Sequence, residues 1–218
     1  MAQKQFDEHL AKVILENCFP EKFSDLQISD KPDLRCGNNI GIEVTNCTSE
    51  RVLETLNLFD TLSIKNEKSK TRSIERIEKL GAKCYTKNNA GTLMISYPGE
   101  YTNNIENSPS NKFLDAVTKK IKKLNNKNAN YAKMASYELF VISKIASIPN
   151  FQIKAIFERL QQLNNKLKKY DRIYFLTNEY NLFEFNMINN TFNERILSSQ
   201  INNMIDKTNN YLKEQNNE

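Results

Sequence analysis

Asp33 and Glu43 are the residues of this chain whose type and placing could do chemistry. Asp33 opens the run Asp33-Leu34-Arg35-Cys36, Glu43 sits inside Ile40-Gly41-Ile42-Glu43-Val44-Thr45, and Gly37-Asn38-Asn39 lies between them. Strand-forming residues on both sides of a turn predict a hairpin, which brings the two carboxylates together at one end. Glu43 stands between apolar neighbours, and a carboxylate is costly to desolvate, so it must face solvent or meet a cation. Alternation sends Ile42 and Val44 to one face and Glu43 and Thr45 to the other, setting a carboxylate beside a hydroxyl. Paired carboxylates are hard oxygen ligands suited to Mg²⁺ or Mn²⁺. A cation so held neutralises phosphate charge and supplies hydroxide near neutral pH, the needs of phosphodiester hydrolysis. Each half of the pattern has a structural alternative, since Pro-Asp is common at turns and an acid within a strand can be an edge residue.

The elements that must position these groups follow from periodicity. Phe6, Leu10, Val13 and Ile14 recur at helical spacing before Pro20, predicting an opening helix over residues 4–18. Leu26-Gln27-Ile28 precedes the hairpin as a further short strand. Val52, Leu53, Leu56, Phe59 and Leu62 form a helical stripe, which resumes through Ile74, Ile77 and Leu80 and stops at Gly81. Residues 87–91 and 98–109 are rich in Asn, Gly, Ser and Pro and bracket an apolar run at 93–97, read as loops around an inserted strand. A lysine-rich helix over 110–125, a strand at Tyr137–Ile142, a helix over 150–168 and a strand at Arg172–Leu176 follow, with Leu182–Asn186 as that strand's hairpin partner. Alternating helices and strands predict an α/β fold with a mixed central β-sheet flanked by helices. The expected organisation is a single domain over 1–218, with an insertion at 81–130 and a C-terminal helix at about 193–212.

Pro32-Asp33 followed by Glu43-Val44-Thr45 resembles the motif of the PD-(D/E)XK nucleases, the superfamily of restriction endonucleases, resolvases and recombination exonucleases. The resemblance covers residues 4–62, with 137–142 as the next core strand. It implies a restriction-endonuclease-like fold and a metal-dependent nuclease that hydrolyses phosphodiester bonds, with DNA as the partner. Asp33 and Glu43 take the metal-ligand positions. In many members the opening helix adds an acid, and Asp7, flanked by Phe6, Leu10, Ala11 and Ile14, fits that pattern; charged groups in a first turn also answer the helix dipole. Thr45 stands where the superfamily carries a lysine and supplies a hydroxyl without charge. Losing such a contact costs on the order of 3 kcal/mol in the transition state, about a hundredfold in rate, unless another cation compensates. Lys31 and Lys144 are candidates by type. The competing reading is a catalytically inactive nucleic-acid-binding or protein-interaction module on the same fold.

Composition narrows the alternatives. The 31 Lys and Arg against 26 Asp and Glu give a net charge of +5, which favours an anionic partner. With His9 as the one histidine and no C-x-x-C among Cys18, Cys36, Cys47 and Cys84, a structural zinc site and Ser/Cys hydrolase chemistry are disfavoured, and the cysteines read as reduced thiols. No segment approaches the length of a membrane span, and Met1-Ala2-Gln3-Lys4 runs into a charged helix, so a cytoplasmic protein is expected. Lys119, Lys120, Lys122 and Lys123 read as a solvated helix face, and Tyr170, Tyr174 and Tyr180 as core aromatics rather than base-stacking groups. A homodimer through the C-terminal helix, around Ile201 and Ile205, is a further expectation, because small nuclease domains often act in pairs.

Overall fold

The computed structural model describes residues 2–62, 65–87, 92–96, 108–144 and 150–215. The chain divides into two compact units, one of residues 1–47 with 113–218 and one of residues 48–112.

The first unit is built on a seven-stranded mixed sheet. Helix α1 (Ala2–Cys18) leads into β1 (Leu26–Ile28), β2 (Leu34–Cys36) and β3 (Ile40–Asn46), an antiparallel meander. β6 (Ser136–Ile142) lies parallel to β3, and β7 (Arg172–Leu176) parallel to β6. β8 (Asn181–Asn186) and β9 (Thr191–Ile196) complete the sheet antiparallel. Alternation divides the core between its faces. Ile42, Val44, Phe140, Ile142 and Tyr174 point to the side packed by Leu10, Val13 and Ile14 of α1 and by Ile201 and Met204 of α6 (Ile201–Gln215). Leu139, Val141, Ile173 and Phe175 point to the side packed by α4 (Pro109–Leu124) and α5 (Asn150–Leu163). A two-residue period thus gives a sheet sandwiched between helix layers.

In the second unit, α2 (Glu50–Asp60) and α3 (Glu67–Lys79) precede an antiparallel hairpin of β4 (Lys83–Lys87) and β5 (Thr92–Ser96). Asn66 caps α3 by accepting the Ser69 N–H at 3.0 Å, and Gly81 follows its end at φ +83°, a left-handed conformation open to glycine. Leu62, Ile77 and Ala82 form its core.

Several expectations are corrected. Residues 191–196 form β9, paired along its length with β8, so the last helix begins at Ile201 instead of about 193. Ile201 and Met204 lie in the chain's own core, and Ile205 is half-buried and packed against it. The separate unit spans 48–112 rather than 81–130, because α4 from Phe113 onward belongs to the main sheet. β4 is a strand that periodicity did not foresee. The helix expected to reach 168 ends at Leu163, where Asn164 accepts the Tyr170 N–H at 2.9 Å and donates to the Tyr170 carbonyl at 2.6 Å; Leu167 is 99% exposed. Of the expected loops, residues 88–91 and 98–107 lie outside the described residues, as does the tail from 216. All four cysteines are free and half-buried, and no described helix is long and apolar enough to cross a membrane.

Candidate cation and phosphate site

The site begins where β2 runs out. Leu34 pairs with Ile42, so continuing the register by two residues sets Pro32 opposite Val44. Proline has no N–H to give the Val44 carbonyl. The Val44 amide donates instead to Asp33 Oδ2 at 2.8 Å, and the Val44 carbonyl accepts from Lys120 Nζ of α4 at 3.0 Å. Gly41 permits this approach: a Cβ there would stand 2.6 Å from Pro32 Cγ and 3.0 Å from Met134 Cγ, so a side chain at 41 would push Pro32 away, and Asp33 with it.

Glu43 points to the α4 side of the sheet and is 1% exposed; Asp33 is 3% exposed. Buried carboxylates demand compensating charge, and α4 provides it. Lys120 Nζ lies 2.7 Å from Glu43 Oε2 and 3.7 Å from Asp33 Oδ2, and Lys123 Nζ lies 3.5 Å from Glu43 Oε2. From α1, Lys4 Nζ bridges Glu8 Oε1 at 3.0 Å and Asp33 Oδ1 at 3.3 Å. These contacts, that with Glu8 foremost, push the Lys4 ammonium up to about 12. Glu8 is itself raised above the ordinary glutamate value, chiefly by burial, with the Asp33 charge adding to the rise and Lys4 opposing it.

The acid of α1 that faces Asp33 is therefore Glu8, not Asp7. Asp7 is buried as well, but its oxygens accept from Gln3 Nε2 at 2.7 Å and Asn46 Nδ2 at 3.1 Å. Burial raises its carboxyl, while Asn46, Lys144 and Gln3 hold it down. Thr45 lies half-buried in β3, one alternation beyond Glu43. Lys144 sits by Asp7 and over the Phe6 ring. Lys31 contributes its backbone carbonyl to Arg35 and Ala132.

Lys120 is the group that sequence reasoning missed. Its side chain is 15% exposed, so the solvated-face reading fails for it. The lysine spacing gave a helical face but no sign that this face would meet an acid 77 residues away.

Among the described residues no three His, Cys, Asp or Glu side chains are placed to share a metal. The convergent set here is different: Asp33 Oδ2, Glu43 Oε2 and the Val44 carbonyl surround one ammonium at 2.7 to 3.7 Å. Three hard oxygens around a positive charge fit Mg²⁺ or Mn²⁺, which complete their shells with water and phosphate oxygens. Lys120 Nζ fills the space that these three oxygens enclose. Comparison with protein-family models, curated proteins and solved structures gives no match to this chain.

Proposed function

We propose that this protein is a divalent-cation-dependent nuclease with a restriction-endonuclease-like fold, hydrolysing phosphodiester bonds in DNA. The observation that carries the reading is the convergence of Asp33 Oδ2, Glu43 Oε2 and the Val44 carbonyl on a single cation point occupied by Lys120 Nζ. The element order supports the finer fold: an opening helix, an antiparallel three-strand meander carrying both acids, then a strand parallel to the third. The net charge of +5 favours a polyanionic substrate.

Asp33, Glu43 and the Val44 carbonyl would hold Mg²⁺ or Mn²⁺, whose chemistry there is to neutralise phosphate charge and make water a competent nucleophile near neutral pH. Lys120, on a long flexible stem, supplies the positive charge that Thr45 lacks and meets the negative charge that grows on the phosphate. Glu43 accepts a proton from the attacking water. The water oxygen bonds to phosphorus as one ester P–O bond breaks, and the leaving oxygen takes a proton from solvent water. Glu8, paired with Lys4, fixes the charge around Asp33 in the position first expected of Asp7.

A second reading draws on the same contact. Lys120 neutralises both acids without any metal, as a binding module that had abandoned hydrolysis would require. Cleavage of single- and double-stranded DNA with Mg²⁺ or Mn²⁺, comparing the native chain with Asp33→Ala and Glu43→Ala, separates the two. Cleavage lost in both variants establishes the nuclease. An inert native chain, with no calorimetric metal binding that depends on Asp33 and Glu43, overturns it in favour of the module.

A further inference from the structure

The positive charge of the chain is concentrated in two stretches. Residues 116–137 carry six lysines, residues 159–170 carry Arg159 and three lysines, and neither stretch holds an Asp or Glu. The whole chain has an excess of five positive charges, so outside these ten basic residues acid outnumbers base. The fold joins the two stretches. Asn125, just past α4, donates to the Lys168 carbonyl at 2.8 Å and accepts the Lys168 N–H at 3.0 Å. Asn164 clasps Tyr170 in the same reciprocal way, and Tyr170 Oη donates to the Lys120 carbonyl at 3.3 Å.

These asparagines hold residues 164–170 as a fixed loop between α5 and β7, tied to α4. The loop exposes Lys166, Lys168 and Lys169, and Lys122 and Lys127, to either side of Asn125 in sequence, are exposed as well. None of these five lysines is paired with a carboxylate among the described residues. Asp171, which follows Tyr170, accepts from Ser136 Oγ at 2.6 Å. Like charges gathered on a clamped loop repel one another, and a polyanion relieves that repulsion. Together with the turn after β8, the loop borders a concavity of about 430 Å³. Lys166 and Lys169 line it with the amides of Asn165 and Asn190, and Leu167 and Met187 add apolar surface. A space of this size is in the range of small-molecule sites, so it seats single nucleotide units rather than a duplex. Ammonium groups for phosphates, amides for base edges and apolar surface for a sugar or base face are the contacts an unpaired strand makes.

We propose that residues 164–170 form an anchoring surface for single-stranded nucleic acid, separate from the acid pair, with Lys166, Lys168 and Lys169 on its phosphates. Along α4, Asn125 lies about 7.5 Å from Lys120, about two steps of a strand at about 3.4 Å each. A strand seated on the loop therefore lies within a few nucleotides of the helical turn that carries Lys120. The surface goes beyond the nuclease reading, since a binding module on the same fold would use it equally.

Fluorescence anisotropy with a short labelled single-stranded DNA, in EDTA and over a range of salt, tests the surface without metal or cleavage. Combining Lys166→Gln, Lys168→Gln and Lys169→Gln should weaken binding by about tenfold or more. The slope of log Kd against log salt should fall by about two, because each phosphate contact on a single strand contributes about 0.7. The Tm should stay native, as all three side chains are exposed. A control with the same loss of charge at exposed positions elsewhere, Lys68→Gln with Lys207→Gln and Lys213→Gln, should bind within about twofold of native. A duplex of the same sequence should bind more weakly than the single strand. A native chain without affinity for the strand, a loop variant with native affinity, a control that loses as much as the loop variant, or tighter binding of the duplex through the loop each overturns the proposal. So does loss of binding to phosphatidylserine vesicles in the loop variant while its DNA affinity holds, which would assign the loop to a membrane. A native chain that binds through the loop yet is inert with Mg²⁺ and Mn²⁺ supports this surface while the nuclease reading falls; an active chain whose loop variant keeps its affinity overturns the surface alone.

Discussion

Replacing Lys120 with methionine removes one charge and leaves a stem of similar length. In the native chain its ammonium lies 2.7 Å from Glu43 Oε2, 3.0 Å from the Val44 carbonyl and 3.7 Å from Asp33 Oδ2, with the side chain 15% exposed and Glu43 1% exposed. Removing one partner of a buried ion pair costs about 3–5 kcal/mol. Lys123, 3.5 Å from Glu43, remains as a partial substitute, so about 3 kcal/mol, the lower end, is the expected loss of stability without metal. On the nuclease reading the same free energy opposes divalent binding in the native chain, because a cation held there would have to displace the ammonium. Mn²⁺ should therefore bind Lys120→Met up to about a hundredfold more tightly, at about 1.4 kcal/mol per tenfold. Saturating Mn²⁺ should close much of the stability gap, since a ligand that binds only the folded state stabilises it. Cleavage should fall by about a hundredfold even so, as the charge proposed to meet the phosphate is gone. Urea denaturation with chelator or Mn²⁺, together with titration calorimetry, reads the first two effects. A variant as stable as the native chain without metal, and no tighter for Mn²⁺, would refute the assignment of Lys120 to the cation position.

Three other substitutions test the surroundings of the site. Gly41→Ala forces a Cβ to within 2.6 Å of Pro32 Cγ; it should cost about 1–3 kcal/mol in urea denaturation and lower cleavage more than about tenfold by shifting Asp33. Asp7→Asn should stabilise the protein at neutral pH: burial raises the folded carboxyl above its ordinary value of 3.8, so the native state binds more protons than the unfolded chain and loses stability as pH rises through the folded value. The advantage of the Asp7→Asn variant should vanish as pH falls below 3.8 in urea midpoints measured against pH, and an advantage that persists there would contradict burial as its cause. Glu138, fully buried on the opposite face from Glu43 and paired with Lys22, Arg172 and Tyr174 Oη, is structural. Glu138→Gln should lower stability by about 3–5 kcal/mol with cleavage per folded molecule unchanged; a selective loss of cleavage at full stability would count against that role.

Short-range periodicity is written in the chain itself, and it was enough for the hairpin and the opening helix. Ile42 and Val44 against Glu43 and Thr45 specify the faces of β3, because a strand's period of two leaves no other choice once one face is apolar. Phe6, Leu10, Val13 and Ile14 likewise specify α1, and Gly37-Asn38-Asn39 the turn that carries Asp33 back beside Glu43. Local signals failed where a distant partner outweighed them. Thr191–Ile196 lacks a buried face of its own and runs into Leu197, Ile201 and Met204 at near-helical spacing, yet it is a strand because β8 offers its whole backbone ladder. Asp7 and Glu8 are both buried and adjacent in sequence, so only the packing of α1 in the fold decides that Glu8 is the one beside Asp33. Lys120 belongs to the site only through tertiary structure. A lysine-rich helix face has no periodicity that names its target, and the fold decided it by laying α4 across the buried carboxylate of Glu43, where uncompensated charge is too costly to leave alone.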